Sequence, residues 1–476
     1  MAVSLTMLVA AMPSVHNATH KTPSVFILYT GGTIGSKLGP DGVGLAPVNT
    51  SEFKAELLAL PGFAEDSVTI NLSDDYPEFL IDYTVEALTP AIDSSSMTPE
   101  QWLVIAGKLL PQLMLYDGVV VLHGTDTLAY TSSALAFLLS GSPKPIVVTG
   151  SQIPLLYSRN DATLNLMTSI AVGATSHIPG VVVAFDERII SGPRAVKVNA
   201  DFIDGFDSPN FPQIGYNGIS ITYEPQYELP MPSPQDSITS LTNTAERKKQ
   251  LELLHESFKQ LSVVVLTLYP GIESSTVNAM LTGSTPTVKG VCIEAFGSGN
   301  APADPDLTRV LKHAHEAGVV LVDVTQVLTG TVNLDQYAAA SGLKDAGAVS
   351  GRDMTTEACY AKLVYLAGIG LSQNNIENLF GVDMVGEVTI KTAPAPPSPL
   401  VPEVGQDHRN WNASTLASYA SPSPPLLPPL SVGMNVLAAA IVGSVVVGFG
   451  LHAAYQWLRS RGYLSSTGQA AFVEMG

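Results

Sequence analysis

Four short runs of apolar, mostly β-branched residues set the framework of this chain: Val25–Leu28, Gly118–Leu122, Pro145–Thr149 and Gly180–Phe185. Each is apolar on consecutive positions rather than alternate ones, the pattern of a strand buried on both faces. Helical stretches separate them. One start is explicit: Thr98-Pro99-Glu100-Gln101 offers a hydroxyl cap, proline at the first helical position and a glutamine to complete a capping box. Strand–helix alternation over residues 24–225 therefore predicts an α/β fold whose parallel sheet is covered by helices on both faces. With 46% hydrophobic and 14% charged residues in 476, the chain has ample material for such a core.

In open α/β sheets, ligands sit beyond the carboxyl ends of the strands, so the residues directly after these runs matter most. Tyr29-Thr30-Gly31-Gly32-Thr33-Ile34-Gly35 follows the first, and His123-Gly124-Thr125-Asp126-Thr127 follows the second. Glycine lets backbone N–H groups approach a substrate closely. Threonine supplies a nucleophilic hydroxyl and aspartate supplies charge. Either motif alone reads equally well as a hydroxyl-capped glycine turn; the two in this order are far more specific.

Together they closely resemble the bacterial-type L-asparaginase family. Further patches agree: Asp93-Ser94-Ser95-Ser96-Met97-Thr98-Pro99-Glu100, Thr149-Gly150-Ser151-Gln152-Ile153-Pro154-Leu155, Arg194-Ala195-Val196-Lys197, Phe206-Asp207-Ser208-Pro209-Asn210 and Gly297-Ser298-Gly299-Asn300-Ala301-Pro302. The resemblance covers residues 24–391. It implies a larger N-terminal domain (24–225) with a parallel sheet, a linker and helix (226–261), and a smaller C-terminal α/β domain (262–391). It also implies a homodimer or homotetramer with sites at subunit contacts, and no metal or cofactor. Read directly, Pro225–Pro234 is a proline-rich linker, a charged helix follows near Thr244–Leu261, and strands at Ser262–Leu268, Lys289–Ala295 and Gly318–Val324 alternate with helices at Asp304–Ala317 and Thr355–Gly368.

The implied reaction is hydrolysis of L-asparagine to L-aspartate and ammonia. Splitting amide hydrolysis through an acyl-enzyme makes each step easier. By resemblance, Thr33 is the nucleophile and Thr125, Asp126 and Lys197 form a second catalytic set. A lysine base must shed its proton; burial favours that, and a neighbouring carboxylate opposes it. The zwitterionic substrate needs an anion site and a cation site. Ser94, with Asp93 and Ser95 beside it, matches the first, and Asp126 the second; Gly32 and Gly124 bring the backbone close. Bacterial relatives carry a lid tyrosine about ten residues beyond the first threonine, where this chain has Gly42-Val43-Gly44-Leu45. Tyr337, in Thr329–Tyr337 of a neighbouring subunit, is the expected replacement. Two other readings stand beside this one: an amidohydrolase of the same superfamily preferring glutamine or a larger amide, and a non-catalytic amino-acid-binding module anchored to a membrane.

A formal net charge of −19 argues against nucleic acid as a partner of the folded part. Two cysteines, Cys292 and Cys359, give no disulfide framework and no cysteine-based metal site. Among the histidines, His313 and His315 are too close in sequence to share a helix face, and none shows metal-ligand spacing.

The two ends read differently. Residues 1–23 are a weak leader with no basic start. Residues 392–431 are a proline-rich stalk. Residues 432–458 carry no acidic residue, lysine or arginine, long enough for a bilayer core that needs about 20 apolar residues. Arg459 and Arg461 follow at once in the short tail 459–476, which places the tail in the cytosol and the catalytic part in a lumen or outside the cell. A cytosol-facing, tail-anchored arrangement is the alternative. Sequons lie at Asn17, Asn49, Asn71 and Asn412.

Overall fold

The computed structural model describes residues 21–39, 42, 44–72, 78–334 and 341–389. The N-terminal domain runs β1 (Ser24–Tyr29), a hairpin of β2 (Ser36–Leu38) and β3 (Leu45–Pro47), α1 (Thr50–Leu58), β4 (Ser67–Ile70), β5 (Phe79–Ala87), α2 (Pro99–Leu115), β6 (Gly118–Leu122), α3 (Leu128–Leu138), β7 (Pro145–Thr149), α4 (Ala162–Thr175), β8 (Gly180–Phe185) and β9 (Arg188–Ser191). Four short strands complete it: β10 (Val196–Lys197), β11 (Phe206–Asp207), β12 (Gly215–Asn217) and β13 (Ile221–Tyr223). Nine of these strands form one sheet in the order β13-β12-β9-β8-β7-β6-β1-β5-β4.

All four apolar runs are central strands, and β1, β6 and β7 are buried at every residue. Their side chains alternate between two layers. Phe26, Leu28, Val119 and Val121 join Trp102, Ile105 and Leu135 of α2 and α3, whereas Val25, Ile27, Val120 and Leu122 join Phe53, Leu57 and Ile170 of α1 and α4. The helix start at Thr98 is built as its residues suggest, with the Gln101 side chain accepting from the Thr98 N–H at 2.8 Å.

One expectation needs correction: the sheet is mixed, not wholly parallel. The strands β8-β7-β6-β1-β5 are parallel neighbours, but β4, β9, β12 and β13 pair antiparallel at the two edges. The turn Asp186-Glu187 between β8 and β9 is too short for a parallel crossover, so the chain must reverse there. Asp186 takes φ 55° to make that turn.

Beyond the linker, α5 (Leu241–Phe258) begins earlier than the charge pattern suggested, because the Ser240 hydroxyl caps it by accepting from Asn243 N–H at 3.3 Å. The C-terminal domain then contains β14 (Ser262–Thr267), α6 (Ser274–Thr282), β15 (Val288–Ala295), α7 (Pro305–Glu316), β16 (Val320–Thr325), α8 (Ser341–Asp345), β17 (Val349–Ser350), α9 (Thr356–Gly368) and α10 (Gln373–Phe380). Its four strands form a parallel sheet in the order β14-β15-β16-β17.

The two domains are clasped by a buried cation. Arg194, between β9 and β10, is 2% exposed and donates to Asp353 Oδ2 at 3.0 Å, to the Gly386 carbonyl at 2.5 Å and to Thr389 Oγ1 at 3.2 Å. Asn210 reinforces it by donating to the Asp353 carbonyl at 3.1 Å. Removing one partner of such a pair leaves an uncompensated buried charge, at a cost of about 3–5 kcal/mol.

Among the described residues, no helix is long and apolar enough to cross a membrane. The expected stalk, span and tail (392–476) lie outside the described residues, as does the leader apart from residues 21–23.

Asp323 of β16 is fully buried under Gly299, and neither carboxyl oxygen has a hydrogen-bond partner among the described residues. Burial lifts its pKa from 3.8 to about 7. A carboxyl whose folded pKa exceeds its unfolded value holds its proton longer in the native state. Its stabilising effect is therefore present at low pH and is lost as pH rises through that window. Asp323→Asn keeps the shape and removes the charge. Its melting temperature is expected to exceed that of the wild type by several degrees near pH ~8, with the gap shrinking steadily as pH falls toward ~4; a gap that does not change between the two pH values contradicts this.

Candidate active site

Two adjacent strands place both motifs side by side. β1 and β6 pair in parallel with Tyr29 opposite Leu122, so their carboxyl-end turns emerge next to each other. The Thr30 N–H and hydroxyl both donate to the Leu122 carbonyl at 2.9 Å. Beyond this, the turns touch through glycine: a Cβ on Gly32 (φ +85°) would lie 2.3 Å from Gly124 Cα, and one on Gly124 would lie 2.3 Å from Ser94 Oγ. Gly32, Gly124 and Ser94 are therefore packed into one floor that any side chain would break open.

Ser94 is buried at 3% exposure and opens a one-turn 3-10 helix. Asp93 caps that turn, its Oδ1 accepting from the Ser95 N–H at 3.0 Å, and Thr127 Oγ1 donates to the Ser94 carbonyl at 2.8 Å. Asp93 and Ser95 themselves are exposed.

Lys197 closes the second set. It arrives on β10, whose pairing with β11 (Lys197 opposite Phe206) holds the strand over the site. Its Nζ lies 2.9 Å from Thr125 Oγ1 and 2.9 Å from Asp126 Oδ1. Thr125 Oγ1 also lies 3.3 Å from Gln152 Oε1, and the Gln152 amide in turn donates to the Asn199 and Phe202 carbonyls at 3.3 and 3.1 Å. The Lys197 side chain is 24% exposed and that of Asp126 is 60% exposed, so the pair faces the solvent-accessible mouth.

Thr33 starts the 3-10 turn Thr33–Gly35 directly after Gly32 and is half-buried. Its hydroxyl has no hydrogen bond among the described residues. Lys197 is bonded to Thr125, not to Thr33. Tyr337 lies outside the described residues. Close to it in sequence, Asn333 N–H donates to the Ser298 carbonyl at 2.9 Å and Gly330 N–H to Asn210 Oδ1 at 2.8 Å.

His123 heads the second motif without a role assigned from the sequence, yet it has a definite place. Trp102 Nε1 donates to Thr131 Oγ1 at 3.1 Å; Thr131 Oγ1 meets His123 Nε2 at 2.9 Å; His123 Nδ1 meets the Gly124 carbonyl at 2.7 Å. Indole N–H is only a donor, so the chain runs one way and ends with His123 Nδ1–H on that carbonyl. Burial pushes the His123 pKa down to about 4, keeping the ring neutral. A tryptophan and a threonine thus brace the peptide from which Thr125 hangs; no short-range motif signals such a link. Among the described residues, no group of three or more His, Cys, Asp or Glu could hold a metal ion.

The family model "Asparaginase, N-terminal" matches residues 24–228, and "Glutaminase/Asparaginase C-terminal domain" matches residues 262–380. L-asparaginase 1 of Escherichia coli strain K12 is 36% identical over 366 residues, covering 77% of this chain and 98% of that protein. A 60 kDa lysophospholipase of Mus musculus is 38% identical over 375 residues, covering 76% of this chain and 62% of that protein. The crystal structure of L-asparaginase I from Vibrio cholerae superposes with a TM-score of 0.62 at 34% identity, covering 78% of this chain and all of that one. With family models matching more than half of the chain and an L-asparaginase relative matched over 98% of its length, the chain belongs to the asparaginase family.

Proposed function

We propose that this chain hydrolyses L-asparagine to L-aspartate and ammonia, with Thr33 as nucleophile and an acyl-enzyme intermediate. The observation that carries the reading is the Lys197 amine, 2.9 Å from both Thr125 Oγ1 and Asp126 Oδ1 at the carboxyl end of β6. That contact serves in either protonation state. As an ammonium, Lys197 donates to both oxygens. As a neutral amine, it donates to Asp126 and accepts from the Thr125 hydroxyl, which is the arrangement a proton relay needs. Asp126 orients the amine in both.

The attack begins at the Thr33 hydroxyl, and the glycine-lined strand ends supply backbone N–H groups for the developing oxyanion. Ser94 binds the α-carboxylate of the substrate, with Gly32 and Gly124 allowing its close approach and the Asp93-capped turn holding Ser95 beside it. Asp126 receives the α-ammonium. Loss of the amide nitrogen as ammonia leaves the acyl-enzyme, which water releases with help from Thr125 and Lys197. Since Thr33 lacks a base among the described residues, Tyr337 of a neighbouring subunit completes the site, which makes a homodimer or homotetramer the working unit. A methylene is worth only about 1–3 kcal/mol of discrimination, so glutamine is expected as a weaker substrate. The apolar span 432–458 anchors the chain to a membrane, its catalytic part lumenal or extracellular.

Ammonia release by the full chain from L-asparagine, against L-glutamine and a Thr33→Ala control, tests the reaction. Thr33→Ala is expected to lower kcat by at least about a thousandfold. Lys197→Arg retains a cation that does not deprotonate; its turnover should fall by about a hundredfold or more if Lys197 moves a proton, whereas near-normal turnover reduces Lys197 to an electrostatic post. Tyr337→Phe should cost about tenfold or more in kcat. Unchanged turnover in that variant removes Tyr337 from the mechanism.

A further inference from the structure

The turn that carries Thr33 rests on an aromatic floor. Tyr29, the last residue of β1, is fully buried and lies under Gly35: a Cβ on Gly35 would come within 2.7–2.8 Å of the Tyr29 ring and hydroxyl. The Tyr29 hydroxyl donates to the Gly35 carbonyl at 2.8 Å. The same carbonyl accepts from the Val48 N–H at 2.9 Å, just beyond the β2–β3 hairpin. The ring stacks on Phe53 of α1 with centroids 4.4 Å apart and planes 8° apart. Two more bonds clamp the turn from its sides, Ser36 Oγ to the Gly32 carbonyl at 2.8 Å and Leu155 N–H to the Ile34 carbonyl at 3.1 Å. Burial pushes the phenol well above its usual range, so it stays a protonated donor.

We infer that Tyr29 is a positioning residue for turnover: its hydroxyl, bonded to the Gly35 carbonyl, sets the height and tilt of the Thr33–Gly35 turn and ties it to the base of the hairpin. Thr33 has no side-chain partner of its own among the described residues, so its aim depends on the backbone beneath it. The inference rests on Thr33 being the nucleophile. Tyr29 bonds the Gly35 carbonyl and stacks on Phe53, whereas the Ser94 and Asp126 binding groups sit on other segments. It therefore acts on the chemical step and not on substrate binding.

Tyr29→Phe removes the hydroxyl and keeps the stacked ring. Tyr83→Phe is the matched control: the Tyr83 hydroxyl likewise donates to a backbone carbonyl, that of Ala64 at 2.8 Å, from β5 of the same sheet. Steady-state ammonia release by the full chain is measured for both variants and for Thr33→Ala, with melting temperatures. Tyr29→Phe is expected to lower kcat by about tenfold with KM within about twofold, while Tyr83→Phe keeps wild-type kcat and melts similarly. A wild-type kcat for Tyr29→Phe, an effect confined to KM, or an equal loss in Tyr83→Phe overturns the inference while an inactive Thr33→Ala leaves the nucleophile reading standing. An active Thr33→Ala overturns both. Should Tyr29→Phe not fold, 4-fluorophenylalanine at position 29, which keeps the stacked ring and nearly its length but cannot donate to the Gly35 carbonyl, carries the same test: lowered kcat at unchanged KM supports the inference, and unchanged kcat overturns it.

Discussion

Contact between two backbones without side chains is the constraint on which the site depends. Gly32 and Gly124 meet at a distance that no Cβ permits, and Ser94 lies within the same contact. Only because β1 and β6 are parallel neighbours in register does this meeting happen. A slip of one residue would turn alternate side chains to the wrong layer and pull the two threonine motifs apart. The buried residues of β1 and β6 thus do more than stabilise; they fix the spacing between the two threonine motifs. The energetic penalty for a slip is shared by every apolar side chain in both layers, which makes the register hard to lose.

A second constraint crosses domains. Arg194 stands three residues before Lys197, and its buried guanidinium is held by Asp353, Gly386 and Thr389 of the C-terminal domain. The segment that delivers the amine to Thr125 is therefore anchored by the domain that does not itself supply Thr125. Ordered packing of the C-terminal domain becomes a condition for aiming Lys197.

Much of this was legible in the chain. Consecutive apolar residues in β1, β6, β7 and β8 announce doubly covered strands, and the residues after β1 and β6 announce hydroxyl chemistry. The antiparallel edges were not legible: β4 and β9 are four residues each and β12 and β13 three, too short for a clear periodicity. Partnerships across long separations were equally silent. Arg194 and Asp353 are 159 positions apart and Trp102 and Thr131 are 29 apart, and nothing local to either residue names the other. Tyr29 was inside the quoted motif, but its use depends on Gly35 and Phe53 arriving above and beside it. The start of α5 was misplaced because a serine cap outweighed the charge pattern that marks the helix body.

The one-way chain from Trp102 through Thr131 to His123 has a consequence for which chemistry the fold can adopt. An imidazole is the usual proton carrier near neutral pH, and this motif contains one two residues before Thr125. Here both ring nitrogens are committed, one to a hydroxyl and one to a carbonyl, in a place water does not reach. The histidine is in effect insulated. With the nearby imidazole so thoroughly taken out of circulation, the proposed mechanism is left to move protons with hydroxyls and an amine.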